Sequence, residues 1–286
     1  MGSDRHTSVM STNNSLHVFD QALQLRTLAP GQYQGLAPKP YWNMVGPFGG
    51  ITAAALLQAV LQHPDLLGEP VSLTLNFAGG MQEGPFDVQA VPARTNRSTQ
   101  HWTITIVQAG PEGAPVVTTT GTALTAVRRG TWGAADTPMP TVPRPDDVPA
   151  ATGVFGVEWL NRYELRFASG SIPTQWDSSG AHSQTQLWMR DAPPRPIDFC
   201  SLAALADVFY PRVWLRRAQR VPAGTVSMTV YFHADQADLA ATGSGFVLGQ
   251  ARAQAFCNGF FDQTAQLWNE AGTLLATSHQ IVYYKE

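Results

Sequence analysis

Charge is scarce in this chain of 286 residues: 14% are Asp, Glu, Lys or Arg, against a hydrophobic share of 44%. Globular domains ordinarily carry about 25% charged residues, so part of the surface is expected to be covered, by self-association as a homodimer or higher homo-oligomer. The net charge of −3 leaves no basic excess, which argues against nucleic-acid binding. No basic run meets an amphipathic stretch, and no run reaches the ~18 apolar residues that cross a bilayer, so no membrane association is expected. Cysteine is nearly missing. Cys200 and Cys257 are too few for a disulfide framework and match no metal-ligand spacing, so a reduced, cytoplasmic setting fits best. Residues 1–15 are polar, lack the apolar core of a secretion signal and read as a disordered leader.

The motifs of several common chemistries are absent too. There is no G-x-S-x-G, so a nucleophilic serine at a strand-to-helix elbow is not expected. There is no H-E-x-x-H, and the seven histidines are scattered, so no metal is expected. Gly79-Gly80 and the Gly243, Gly245 pair lack the Lys-Ser/Thr of a phosphate-cradling loop. Nothing calls for a cofactor.

Proline and a repeat carry the positive signal. Pro138, Pro140, Pro143, Pro145 and Pro149 crowd into residues 138–153. Proline fixes φ and removes a backbone donor, so this stretch is neither a helix interior nor a central strand. It reads as a linker between an N-terminal unit, 16–137, and a C-terminal unit, 154–286, which look alike. Val71-Ser72-Leu73-Thr74-Leu75-Asn76-Phe77 matches Val226-Ser227-Met228-Thr229-Val230-Tyr231-Phe232 at an offset of 155, both with the alternation of a half-buried strand. The apolar run after Gly113 matches the run after Gly272 at an offset of 159.

Each unit shows the same order of elements. In the first, a strand is expected over 22–28. The turn Gly46-Pro47-Phe48-Gly49-Gly50 then leads into a helix over 51–63 that is apolar nearly all round, as a buried helix is. Strands follow near 71–77, 86–94, 100–109 and 116–127. In the second, strands at 162–168 and 185–190 precede a helix near 197–210, and strands follow near 225–233, 246–255, 259–269 and 274–284. One buried helix followed by a long antiparallel meander is the hotdog plan. The expected fold is α+β: a double hotdog, two tandem units each wrapping a sheet around a helix, with the sheets joined side by side to cover an edge.

At this level of detail the chain resembles the bacterial acyl-CoA thioesterase II family. The resemblance rests on Phe48-Gly49-Gly50 at the first helix start, Ala206-Asp207 in the second helix, Tyr231-Phe232-His233 at a strand end and the run from Leu274 to Gln280. It implies hydrolysis of an acyl-CoA thioester, with Asp207, Thr225 and Gln280 holding the hydrolytic water and Phe48, Gly49 and Gly50 at the substrate. Ile51 stands where family members often have Gln, and Gln280-Ile281-Val282 where they often continue Gln-Glu-Gly; these departures bear on the substrate more than on the fold.

The residue types suit that chemistry. An oriented water, a proton acceptor and donors for a developing oxyanion suffice, with no covalent intermediate. At about 100° per residue, Asp207 falls opposite the apolar stripe of its helix, beside Cys200, Ala203, Ala204 and Pro211. Such a face is either solvated or built for close approach. Thr225 is expected on the strand face away from Val226, Met228 and Val230, where a threonine is ordinary. Gln280 sits among apolar neighbours and needs partners if buried. Gly49 and Gly50 form either a tight turn alone or a close approach to a carbonyl oxygen. His233 and His279 lie near enough in sequence to be considered. In the repeat Asp207 aligns near Thr52 and Gln280 near Gly121, so the polar site is expected from the second unit. Two other readings fit the fold. One is a non-catalytic acyl-thioester binding protein. The other is a hotdog hydratase or dehydratase, whose G-D-x-N-P-x-H pattern is absent here.

Overall fold

The structure, a computed structural model, describes residues 16–152 and 156–286. The expected leader at 1–15 lies outside the described residues, as do 153–155 at the end of the Pro-rich segment. The first half runs α1 (Val18–Ala22), β1 (Arg26–Ala29), β2 (Gln32–Leu36), α2 (Gly49–Leu61), β3 (Glu69–Phe77), β4 (Pro85–Thr95), β5 (Thr99–Ala109) and β6 (Pro115–Ala126). The second runs β7 (Tyr163–Ser169), β8 (Thr185–Asp191), α3 (Phe199–Leu205), α4 (Arg212–Arg217), β9 (Ala223–Phe232), α5 (Gln236–Thr242), β10 (Val247–Arg252), β11 (Phe256–Cys257), β12 (Phe260–Asn269) and β13 (Leu274–Tyr284).

Three local expectations change. Residues 22–28 are not one strand. Phe19 and Leu23, four apart and buried, give α1 an apolar face, and the His17 ring accepts the Phe19 N–H at 3.1 Å. The second helix stops at Leu205 instead of running to 210. Pro211 disfavours helical backbone before it, and the Ala206 carbonyl is turned toward β13, where Ser278 and Gln280 donate to it at 3.4 and 3.5 Å. The short helices α4 and α5 were not anticipated. For α5 the signal was present: Asp235 and Asp238 cap each other's backbone N–H groups.

The thirteen strands of the described residues form one antiparallel sheet in the order β1-β2-β4-β5-β6-β3-β9-β13-β12-β10-β8-β7, with β11 beside β12. The order reads the same from either end: β3 matches β9, β6 matches β13, and so on outward. The fold is therefore the expected double hotdog. The repeated segments pair with each other at the centre, crossing at Thr74 and Thr229, whose hydroxyls are 3.0 Å apart. This pairing covers the edge each unit would otherwise expose.

Helix α2 is buried along most of its length and packs on α3, and one apolar core runs through both units. The Pro-rich segment is strapped to the second unit. Met139, Val142 and Val148 pack against Trp188, Phe246 and Leu248. Trp188 donates to the Pro143 carbonyl at 2.8 Å, and Arg166 to those of Pro145 and Val148 at 2.9 Å.

Candidate active site

The two buried helices lie antiparallel against each other, with Cys200 at the start of α3 donating to Gln58 towards the end of α2 at 3.6 Å and the start of α2 beside the end of α3. Helix α3 finishes at Leu205, and Asp207 stands in the turn just beyond it, its N–H bonded to the Ala204 carbonyl at 3.1 Å. The start of α2 comes against this turn so closely that only glycine fits. A Cβ on Gly49 would lie 2.6 Å from Asp207 Oδ2, and one on Gly50 would lie 2.6 Å from the Ala204 carbonyl oxygen. The Gly50 N–H lies close enough to the Asp207 carboxylate to favour its charged form. First-turn N–H groups have no partner within their helix and mark its positive end, so an anion is favoured there. Phe48, which precedes this turn, is buried and lies flat on Trp159, ring centroids 4.1 Å apart, with Tyr163 edge-on at 6.0 Å.

Gln280 closes the other side. It is buried on β13 and donates through Nε2 to Asp207 Oδ1 at 2.8 Å. Its Oε1 accepts from the Thr225 hydroxyl at 3.2 Å. Thr225 was expected on the opposite strand face, and a β-bulge corrects that. Ile281 pairs with Ser227 but Val282 pairs with Thr225, leaving Val226 extra. A bulge re-aims the following side chain, and here it turns Thr225 onto the face of Gln280 and Val282. Asp207, Thr225 and Gln280 thus form one hydrogen-bonded row. His233 and His279 do not join it. Both are exposed, and His233 instead meets Thr277 Oγ1 at 3.0 Å.

Burial pushes the Asp207 carboxyl up to about 7, with the Gln280 and Gly50 hydrogen bonds pulling the other way. The residue as a whole is only half-buried, so solvent reaches it. A carboxyl group poised near neutrality in a partly buried residue can accept a proton from a water that reaches it.

A second buried polar group, unnoticed in the sequence, lies behind Phe48. Tyr41, Tyr163 and Asp191 are buried, and Tyr41 Oη, Tyr163 Oη and Asp191 Oδ1 have no hydrogen-bond partner among the described residues. Burial raises the Asp191 carboxyl to about 7, opposed by the Arg195 guanidinium. The strand expected over 185–190 stopped one residue short of Asp191, and no sequence signal singled it out. Among the described residues no three of His, Cys, Asp and Glu converge as metal ligands would, and no helix is long and apolar enough to cross a membrane.

Comparison with known proteins identifies the family and the fold. Residues 137–284 match the family model described as Acyl-CoA thioesterase C-terminal domain, and residues 38–125 match the Acyl-CoA thioesterase N-terminal domain. The chain belongs to the acyl-CoA thioesterase family. Among solved structures it is similar to a hot dog fold protein of unknown function from Alicyclobacillus acidocaldarius, 45% identical over 95% of this chain and 99% of that one, with a TM-score of 0.89. It shares its fold with the acyl-CoA thioesterase II TesB2 of Mycobacterium marinum (19% identity, 93% and 98% coverage, TM-score 0.74). It also shares it with a tesB protein of Mycobacterium avium subsp. paratuberculosis (16% identity, 94% and 98% coverage, TM-score 0.74). No curated protein gives a significant match.

Proposed function

We propose that this protein hydrolyses acyl-CoA thioesters to the free carboxylic acid and coenzyme A, and that Asp207, Thr225 and Gln280 activate the water. The observation that carries this reading is the Asp207 carboxylate. It accepts from Gln280 Nε2 at 2.8 Å, faces the Gly50 N–H and is raised to about 7 in a residue that is only partly buried. Water held by Asp207 attacks the thioester carbon while the carboxylate takes its proton. The carbonyl oxygen gains charge and lies at the start of α2, where Gly49 presents backbone without a side chain. Collapse breaks the carbon–sulfur bond, and the proton passes from Asp207 to the departing thiolate. Gln280 holds Oδ1 in place, and Thr225 fixes the Gln280 amide by donating to its oxygen, which leaves Nε2 to face Asp207.

The acyl group lies beside α2, following the apolar residues that come after the glycine pair. Ile51, Ala55, Met81, Phe86 and Ile106 line a cavity there of about 10 Å³. That is room for about one water, so an acyl chain entering there requires Met81 and its neighbours to move. Self-association is part of the same reading: Tyr231, Ile281 and Tyr283 are exposed on neighbouring central strands, and light scattering measures the oligomer.

The test is a panel of acyl-CoA thioesters of increasing chain length, with free thiol followed for the wild type and Asp207→Asn. Release by the wild type and a loss of about 1,000-fold in the variant is the expected result for a removed general base. Tight acyl-CoA binding without thiol release from any member would replace hydrolysis with simple thioester binding. Equal rates in both proteins would remove Asp207 from the mechanism.

A further inference from the structure

Buried polar side-chain atoms without a partner are few in a folded chain, and in this one they gather. Nine occur among the described residues, and five of the nine belong to Tyr41, Trp159, Arg162, Tyr163 and Asp191. They come from both units. Tyr41 ends the turn Lys39–Tyr41 of the first, and Trp159 and Arg162 lie in the turn Glu158–Arg162 that leads into β7. Tyr163 opens β7 and stands directly across from Asp191 at the end of β8, so their side chains share a face about 5 Å apart at their Cβ atoms. The Tyr41 ring is edge-on to Tyr163, centroids 6.2 Å apart, and edge-on to Phe19 of α1 at 6.0 Å. Tyr41, Tyr163 and Asp191 are 0%, 5% and 3% exposed.

The needs of these atoms decide what fits among them. Each phenol both donates and accepts a hydrogen bond, and a carboxyl accepts, or also donates when protonated. Burial keeps both phenols protonated and lifts Asp191 far above the usual carboxylate range. Arg195, the cation that acts on Asp191, is already engaged by Asp20 at 2.6 Å and by Asp198. Arg162 and Arg195 disfavour a further cation here, and the Asp191 carboxyl disfavours an anion. Water is small, neutral, and both donor and acceptor, and when buried it makes about 3 hydrogen bonds to otherwise unpaired groups.

The cluster is fastened to the start of α2. The Phe48 N–H donates to the Tyr41 carbonyl at 2.8 Å. The Phe48 ring lies flat on Trp159 and edge-on to Tyr163, and Gly49 and Gly50 follow it directly. Asp207 is near enough for its charge to act on Tyr163.

We propose that Tyr41 Oη, Tyr163 Oη and Asp191 Oδ1 enclose a site for internal water, and that this hydrated cluster is a positioning device: it holds Phe48 and so sets the start of α2 against Asp207. Water supplies hydrogen bonds that groups from both units need at once, and so joins the units behind the candidate active site. The effect on turnover rests on the thioester reading of that site; the water site does not.

Conservative variants give opposite signs for a wet and a dry cluster. Losing a hydroxyl that bonds water is destabilising, whereas losing a dry, unpaired one is stabilising. Tyr41→Phe and Tyr163→Phe should each lower Tm by about 2 °C, and the double variant by less than their sum, because the two hydroxyls share a partner. Asp191→Asn, which can still bond water, should lower Tm less than Asp191→Leu. A crystal structure should show ordered water within about 3.2 Å of at least two of the three atoms. Hydrogen exchange reads the positioning without turnover: the peptide carrying Phe48 to Ile51 should exchange about 10-fold faster in Tyr163→Phe, while that of α5 keeps its rate. In the same variant kcat for an acyl-CoA should fall by about 10-fold with KM nearly unchanged. A raised Tm in both Phe variants, or a cluster without water in the crystal, would overturn the water site. Unaltered exchange at Phe48, or unaltered kcat in an active enzyme, would overturn the positioning role. If exchange responds as expected but the wild type releases no thiol from any acyl-CoA, the cluster stands and the hydrolase reading fails.

Discussion

The two units share a backbone device and differ in what they hang on it. In β9 the extra residue Val226 turns Thr225 toward Gln280; in β3 the equivalent extra residue, Val71, leaves Pro70 opposite Thr125. Leu75 faces Met228 across the seam, and their outer partners are Gly121 and Gln280. Asp207 corresponds to Thr52, whose hydroxyl turns back to the Phe48 carbonyl at 3.4 Å. A Cβ on Gly121 would lie 2.8 Å from Leu56, so side-chain packing occupies the space where the second unit places its amide. The duplicated bulge survives where the duplicated polarity does not. Backbone irregularity is built into strand register and is hard to remove without moving a strand, whereas side chains can diverge one at a time. The first unit's contribution is α2 itself, whose start serves the other unit's aspartate.

The sharpest way to break this comparison is to exchange roles. Asp207→Asn is expected to lower kcat/KM by about 1,000-fold, while Thr52→Ala at the equivalent place changes it by less than about 3-fold, the range of a substitution outside the reacting site. Steady-state thiol release measures both, and comparable losses would mean that the halves are not divided as described. Next is the helix junction. Gly49→Ala puts a methyl group 2.6 Å from the present position of Asp207 Oδ2, and a displaced base should cost about 100-fold in kcat. Circular dichroism should show the fold intact.

A smaller effect belongs to Gln280. Gln280→Leu removes the hydrogen bond that favours ionised Asp207, so the acidic limb of the kcat/KM profile should move upward from its starting point near 7. Activity above that limb should fall by about 10-fold, the worth of one hydrogen bond to a charged group. A limb that stays in place would assign it to another residue. Stability should show the opposite pH dependence from activity. Asp207 and Asp191 both have folded values raised to about 7 from 3.8. The native state therefore holds their protons more tightly than the unfolded chain. Their contribution is greatest below the unfolded value and is lost as pH rises from about 4 through 7. Thermal melts across that range should show Tm falling with pH, and less steeply in Asp207→Asn. His279→Ala, on the exposed face, should change neither rate nor melting by more than experimental scatter, as is usual for surface positions.

Much of the architecture was legible in the sequence because it repeats. Alternation located the long strands to within a few residues, and the unbroken apolar run from Ile51 announced a buried helix. The short helices were missed because five to seven residues give periodicity little to work with. The residue types of the site were legible through the family resemblance, but their meeting was not. Alternation assigned Thr225 to the wrong face because a bulge adds one residue that no hydrophobic pattern marks. The helical wheel placed Asp207 on a helix face, although its burial comes from the end of another helix far off in the chain. Tyr41, Tyr163 and Asp191 were unreadable for the same reason, since only tertiary packing brings them together.

Thr74 and Thr229 mark a seam that also decides what happens if the chain is cut. Severed within the Pro-rich strap, each fragment would carry one long unpaired strand, whose complement in the intact chain is the strand on the other fragment. One piece would hold Gly49 and Gly50, the other Asp207, Thr225 and Gln280. Neither fragment could assemble the Asp207–Thr225–Gln280 row and the helix start together, so, on the proposed hydrolysis, recovered thiol release on mixing would count reunited molecules, making the protein a split reporter of its own reassembly.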